Sequence, residues 1–143
     1  MLLDSSAYRD IYLIFMNADY KMSNILKDGF KHVYAIERQS LGWICIDPST
    51  SDLYCNILPA TYAADVIKEF KLQNPECTIL NIHIKPHQKK IYPFFGLLSC
   101  VSVMQYLLGV NWPFVLTPYQ LYTKLIKNTC DHIEVINGET HSS

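Results

Sequence analysis

His32-Val33-Tyr34-Ala35-Ile36-Glu37, then Arg38-Gln39-Ser40-Leu41-Gly42, then Trp43-Ile44-Cys45-Ile46-Asp47 reads as two β-strands around a tight reversal. Both arms are rich in β-branched and aromatic residues, and the segment between them is polar and ends in glycine. With Gln39-Ser40 as a two-residue turn, cross-strand partners sum to 79, and His32 directly opposes Asp47. Opposed side chains of an antiparallel pair lie about 5 Å apart at Cβ. The expectation rests on register, because a slip of one residue would put Asp47 on the other face.

Upstream of the hairpin, Ile11–Met16 is a short apolar run that reads as a buried strand, and residues 20–29 read as a short helix or turn stopped by Gly29. Downstream, residues 47–52 form a turn and Leu53–Leu58 a further strand. Ala63, Ala64, Ile67 and Phe70 recur at near-helical spacing, which predicts an amphipathic helix over 61–72, ended before Asn74-Pro75. Cys77–Lys85 reads as a strand. After a break at Pro93–Gly96, Cys100, Val103, Met104, Leu107 and Leu108 mark one face of a helix that Gly109 stops. Thr117 caps the next helix, with Pro118 in its first turn. That helix runs to about Asn128, and a last strand lies at 132–136 before a polar tail. The order predicts an α+β fold: a central, mainly antiparallel sheet with helices packed on it, concentrated in the second half.

The 143 residues suit a single domain spanning 1–143, and half of them are apolar, with ten tyrosines, which argues against disorder. A formal net charge of −1 provides no basic field for nucleic acid. No apolar run reaches the roughly 18 residues of a membrane span, and the first residues lack the pattern of a secretion signal. Five widely spaced cysteines without a CxxC suggest neither a disulfide framework nor a zinc ribbon. Free thiols point to a reducing, cytoplasmic setting.

His32, Asp47 and Cys100 are the residues whose types and places suit chemistry. A carboxylate beside an imidazole fixes its tautomer and leaves the second nitrogen as a base. Ser99 suits an N-cap, which puts Cys100 in the first helical turn. There the helix dipole and unpaired N–H groups favour a thiolate and offer donors to an oxyanion. Together these are the parts for thiol acyl transfer onto an amide or thioester.

The order strand-His, strand-Asp, helix-Cys resembles the circularly permuted branch of the papain-like cysteine hydrolases related to cell-wall peptidases. More closely, four motifs in order resemble small uncharacterised proteins of phages and proteobacteria. They are Gly29-Phe30-Lys31-His32, Trp43–Pro48, Ser99-Cys100 with Leu107-Leu108-Gly109, and Thr117–Tyr122. The likeness covers roughly residues 10–127. It implies Cys100 as nucleophile, His32 as base and Asp47 as orienter, and needs no cofactor or metal. It also implies a peptide or acyl substrate, or virion or host protein partners, in the host cytoplasm or a virion. Val33 departs from the pattern, where a small polar residue or Cys is expected after the His.

Each residue also has a plainer role. Cys100 shares a helical face with Val103, Met104 and Leu107, and buried free Cys is a common small hydrophobe. His32 can bond a backbone carbonyl, and Asp47 before Pro48 is a natural turn opener. Cys45 shares a face with His32 and Asp47 and is a fallback thiol without a helix terminus to activate it. The pair His83 and His87, near Cys77, suits a metal on a helix but falls on a strand broken by Pro86. Trp112-Pro113-Phe114 reads as a packed loop. A non-catalytic structural or adaptor protein, of a phage particle or directed at a host factor, therefore stands beside the hydrolase as the rival expectation.

Overall fold

A computed structural model describes residues 8–19, 23–39, 42–48, 52–59, 66–85 and 99–137. Six strands run β1 Arg9–Met16, β2 His32–Gln39, β3 Gly42–Pro48, β4 Leu53–Pro59, β5 Thr78–Ile84 and β6 Ile133–Asn137. The helices are α1 Val66–Gln73, α2 Cys100–Leu108 and α3 Pro118–Lys127. The strands form one sheet in the order β4-β3-β2-β1-β5-β6, with every neighbouring pair antiparallel. This is the α+β architecture expected from the strand and helix signals. Of the helix expected over 61–72, residues 61–65 lie outside the described residues, as do the 93–96 break and His87.

Strand β1 is central because it can be buried on both faces. Ile11, Leu13 and Phe15 point to one side, and Ile14 to the other, all without solvent exposure. On the first side they join Val33, Ala35, Leu80, Ile82 and Ile84 against Val101, Met104 and Leu108 of α2 and Leu121 and Leu125 of α3. On the second side Ile14, Tyr34, Ile36, Trp43 and Ile79 pack with Ile67 and Phe70 of α1. Each large side chain buried this way contributes about 1.5–3 kcal/mol.

Local chemistry sets the ends of α2 and α3. Ser99 caps α2: its Oγ accepts from the Ser102 N–H at 3.2 Å while Ser102 Oγ accepts from the Ser99 N–H at 2.9 Å. Gly109 ends the helix in the left-handed region at φ 69°, which suits a residue without Cβ. Thr117 and Gln120 make the same reciprocal cap on α3, with Pro118 at its start. Between the helices, buried Gln105 donates to the Val115 carbonyl at 3.0 Å and accepts from the Trp112 N–H at 2.7 Å. The packed-loop reading of 112–114 needs correction. Trp112 packs on the core, but Phe114 is 89% exposed.

One ion pair fixes α2 along the sheet. Arg9 of β1 bonds buried Glu37 of β2 through Nε (2.8 Å) and Nη2 (3.0 Å), and its Nη1 donates to the Leu107 carbonyl at 3.2 Å. The guanidinium thus holds the C-terminal end of α2 over the start of β1. The other end of α2, with Cys100, lies beside His32 at the start of β2.

The hairpin register differs from the expected one. The β2–β3 ladder pairs Ala35 with Ile46 and closes at Gln39 with Gly42, so partners sum to 81 instead of 79. The two residues between the strands are therefore 40 and 41. The expected turn at Gln39-Ser40 is corrected at Gln39, which ends β2 and pairs with Gly42, while residues 40 and 41 lie outside the described residues; the stretch has no Asn-Gly or Asp-Gly pair to mark the reversal. The change is even, so every side chain keeps its face. Asp47 no longer opposes His32 directly; continuing the ladder puts it opposite Tyr34 and diagonal to His32.

Candidate active site

His32 is the first residue of β2, and the chain is steered into it by a short turn. Gly29 sits at φ 83°, where a side chain would be strained, and its N–H donates to Asn17 Oδ1 at 2.6 Å. The Lys31 N–H donates to the Met16 carbonyl at 3.0 Å, which brings the strand alongside β1. Phe30 anchors the approach, with its ring 4.9 Å from Tyr122, 5.2 Å from Tyr119 and 5.6 Å from Phe15 between centroids.

Asp47 reaches His32 along the diagonal. Its Oδ1 lies 2.6 Å from His32 Nε2. This is a short, charge-assisted distance, and with Nε2–H as donor it leaves Nδ1 as the nitrogen open to another partner. The Cys100 thiol lies close enough to the same imidazole to favour its protonated form. Cys100 opens α2 directly after the Ser99 cap, in the first helical turn. It packs beside the α2–α3 core, whereas Tyr34 and Cys45, next to Asp47, belong to the α1 side. The three side chains meet around the margin of the sheet, at the open start of β2, where a side chain is not confined to one face.

The electrostatics follow from these contacts. Burial by itself disfavours a charged His32. The nearby Cys100 thiol, the hydrogen bond to Asp47 and the negative charge each can carry outweigh it, so the imidazole holds its proton above the ordinary histidine range. The His32 side chain keeps 18% exposure and Asp47 43%, and Cys100 is half-buried, so the group is reachable from solvent.

Tyr34, two residues along β2 from His32, was not singled out from the sequence. Its ring stacks near His32 at 6.3 Å with planes 25° apart, and Phe70 of α1 meets its other side edge-on at 5.7 Å. Burial pushes its phenol far up, so it stays neutral as a wall behind the imidazole. The i, i+2 spacing from His32 on one strand face is the sequence signal by which it could have been found.

The other sequence candidates fall elsewhere. Cys45 lies on the Asp47 side of β3, and burial together with the nearby Asp47 charge pushes its thiol up, away from the reactive form. His83 is paired across the sheet with Asp10, and its Nδ1 lies 3.8 Å from Asp10 Oδ1. Among the described residues no group of three His, Cys, Asp or Glu side chains is arranged to hold a metal ion. No helix among them is long and apolar enough to cross a membrane.

Comparison with known protein families, with curated proteins and with solved structures returned no match for this chain.

Proposed function

We propose that the chain is a cysteine hydrolase or acyltransferase of permuted papain-like type, acting on an amide or thioester through Cys100, His32 and Asp47. The observation that carries this reading is the 2.6 Å contact of Asp47 Oδ1 with His32 Nε2, which leaves the other ring nitrogen to serve a thiol at a helix start.

In this mechanism Cys100 Sγ, its proton held by His32, attacks the substrate carbonyl carbon and forms a C–S bond. The carbonyl π pair moves onto oxygen. Capping occupies the Ser102 N–H, and the Val103 N–H bonds the Ser99 carbonyl. The earlier N–H groups of the turn, those of Cys100 and Val101, are the donors for that oxyanion. Collapse breaks the bond to the leaving nitrogen or sulfur, which takes the proton from His32. Water then gives a proton to His32 and attacks the thioester, releasing the acid and restoring the thiol. In acyl transfer an amine or alcohol takes the place of water. Asp47 keeps the imidazole turned throughout.

The test is acyl-enzyme trapping. Incubation with a small activated thioester, followed by mass spectrometry of the intact and digested chain, should find the acyl group on Cys100. It should be absent in Cys100→Ala and strongly reduced in His32→Ala. Acylation spread over Cys55 and Cys130, unchanged by His32→Ala, overturns the proposal.

A second reading, an adaptor protein of a phage particle or one directed at a host factor, is favoured by the exposed apolar side chains Ile57, Phe114 and Leu116. It predicts that Cys100→Ala leaves the biological role intact.

A further inference from the structure

The two edges of the sheet are unlike. Strand β6 is short, five residues, and carries Glu134, features that discourage edge pairing. Strand β4, at the other edge, has seven residues, Leu53-Tyr54-Cys55-Asn56-Ile57-Leu58-Pro59, without a charge, and pairs with β3 along its whole length without a bulge. Residues 53–57 are exposed on both faces, with Ile57 at 80%, Tyr54 at 54% and Leu53 at 51%. Pro59 blunts only the last position of this edge, and no charge lies within it.

Register tells which groups β4 turns outward. A ladder closing at Gln39 and Gly42 around two residues makes that pair a hydrogen-bonded one, so the N–H and C=O groups of Gly42, Ile44 and Ile46 face β2. Trp43, Cys45 and Asp47 then face β4 and bond Leu58, Asn56 and Tyr54. Pro48 and Pro59, which have no N–H, fall outside the bonded set, as they must. The outward groups of β4 are therefore those of Leu53, Cys55 and Ile57, the same residues whose side chains form its apolar row.

That row is symmetric about Cys55, with one large aliphatic residue two positions away on each side. An antiparallel copy of the strand, related by a two-fold axis at Cys55, sets Leu53 opposite Ile57 of the second copy and the two Cys55 residues opposite each other. Every outward amide finds a partner. Asp52, the adjacent charge, falls opposite the second copy's Leu58 and far from its own counterpart, so no like charges meet. Half-buried Ile44 and Ile46, paired with Ile57 and Cys55, widen the apolar strip on the same face.

From this self-complementarity we infer that β4 is a homodimer interface, through which two copies of the chain continue one sheet. The occupant is a second copy because the hydrogen-bond phase, the apolar row and the absence of charge are all matched by the strand itself. The inference does not depend on the proposed chemistry. Pairing two such strands lies at the low end of interface sizes, below about 1,200 Å², so the dimer is concentration-dependent.

The test is sedimentation velocity of the full chain over a roughly 100-fold concentration range, with cross-linking by a short bis-maleimide. The chain should pass from monomer to dimer on concentration, and Ile57→Lys, at an exposed site, should stay monomeric with an unchanged circular dichroism spectrum. The cross-linked dimer should disappear in Cys55→Ser. A chain monomeric throughout, or a dimer that persists in Ile57→Lys, overturns the inference. So does cross-linking that Cys55→Ser leaves unchanged. Thioester trapping at Cys100 reads the separate question of activity.

Discussion

His32 Nε2 and Asp47 Oδ1 lie 2.6 Å apart although their residues are not opposite each other in the β2–β3 ladder. The acid reaches along a diagonal, from a strand that has only β4 beyond it, to an imidazole at the end of its own strand. In the proposed mechanism the carboxylate orients the ring, and the ring's second nitrogen serves Cys100.

Asp47→Asn tests the charge apart from the shape. The amide still fits the diagonal but no longer offers a negative partner. The imidazole of His32, followed by proton NMR against pH, should titrate lower than in the unchanged protein, because one of the groups that raises it is gone. Modification of Cys100 should slow by about 10²-fold, within the range of a positioned acid–base group. An unchanged titration would show that the contact does not govern the ring.

Stability should carry the sign of the same shift. The folded state holds the His32 proton more tightly than the unfolded chain does. The resulting stabilisation is fully present below the unfolded imidazole value of about 6.5 and is lost as pH rises through the higher folded value. Urea midpoints measured across this window should fall with rising pH in the unchanged protein. The His32→Ala variant should give a flatter curve, and equal slopes would contradict the assignment.

Ser99→Ala removes the cap that places Cys100 at the helix start. The loss of one capping bond should cost about 1 kcal/mol in chemical denaturation. The same variant should slow Cys100 modification, since the first turn frays where the thiol is held. Ser99→Thr or Ser99→Asp should restore both. A stability loss without any change at Cys100 would separate the cap from the site.

Much of the fold was legible because the apolar runs are short and bounded. Ile11–Met16 gave β1, the 32–47 stretch gave β2 and β3, and Ser99 and Thr117 marked helix starts that both proved to be reciprocal caps. The His32–Asp47 pairing was legible for a reason only partly right. The 38–42 stretch carries no Asn-Gly or Asp-Gly pair to fix where the chain reverses, so the expected register was off by two, and an even offset kept the two residues on one face. The Arg9–Glu37–Leu107 clamp was not legible, since it joins positions 28 and 98 residues apart and no local pattern marks it. The same holds for Cys100 meeting His32 across the sheet margin. The residue types and the helix cap were readable, but the meeting depends on how far α2 lies along the sheet. Tyr34 was missed because its core role hid its stacking on the histidine.

The most direct measurement is the rate at which iodoacetamide alkylates each cysteine as a function of pH, resolved by peptide mass spectrometry, in the unchanged protein and in His32→Ala. Cys100 should react faster than Cys55 and Cys130 near neutral pH, and His32→Ala should remove this advantage and leave the other two rates alone. Equal rates at Cys100, Cys55 and Cys130, untouched by His32→Ala, would contradict the proposed site.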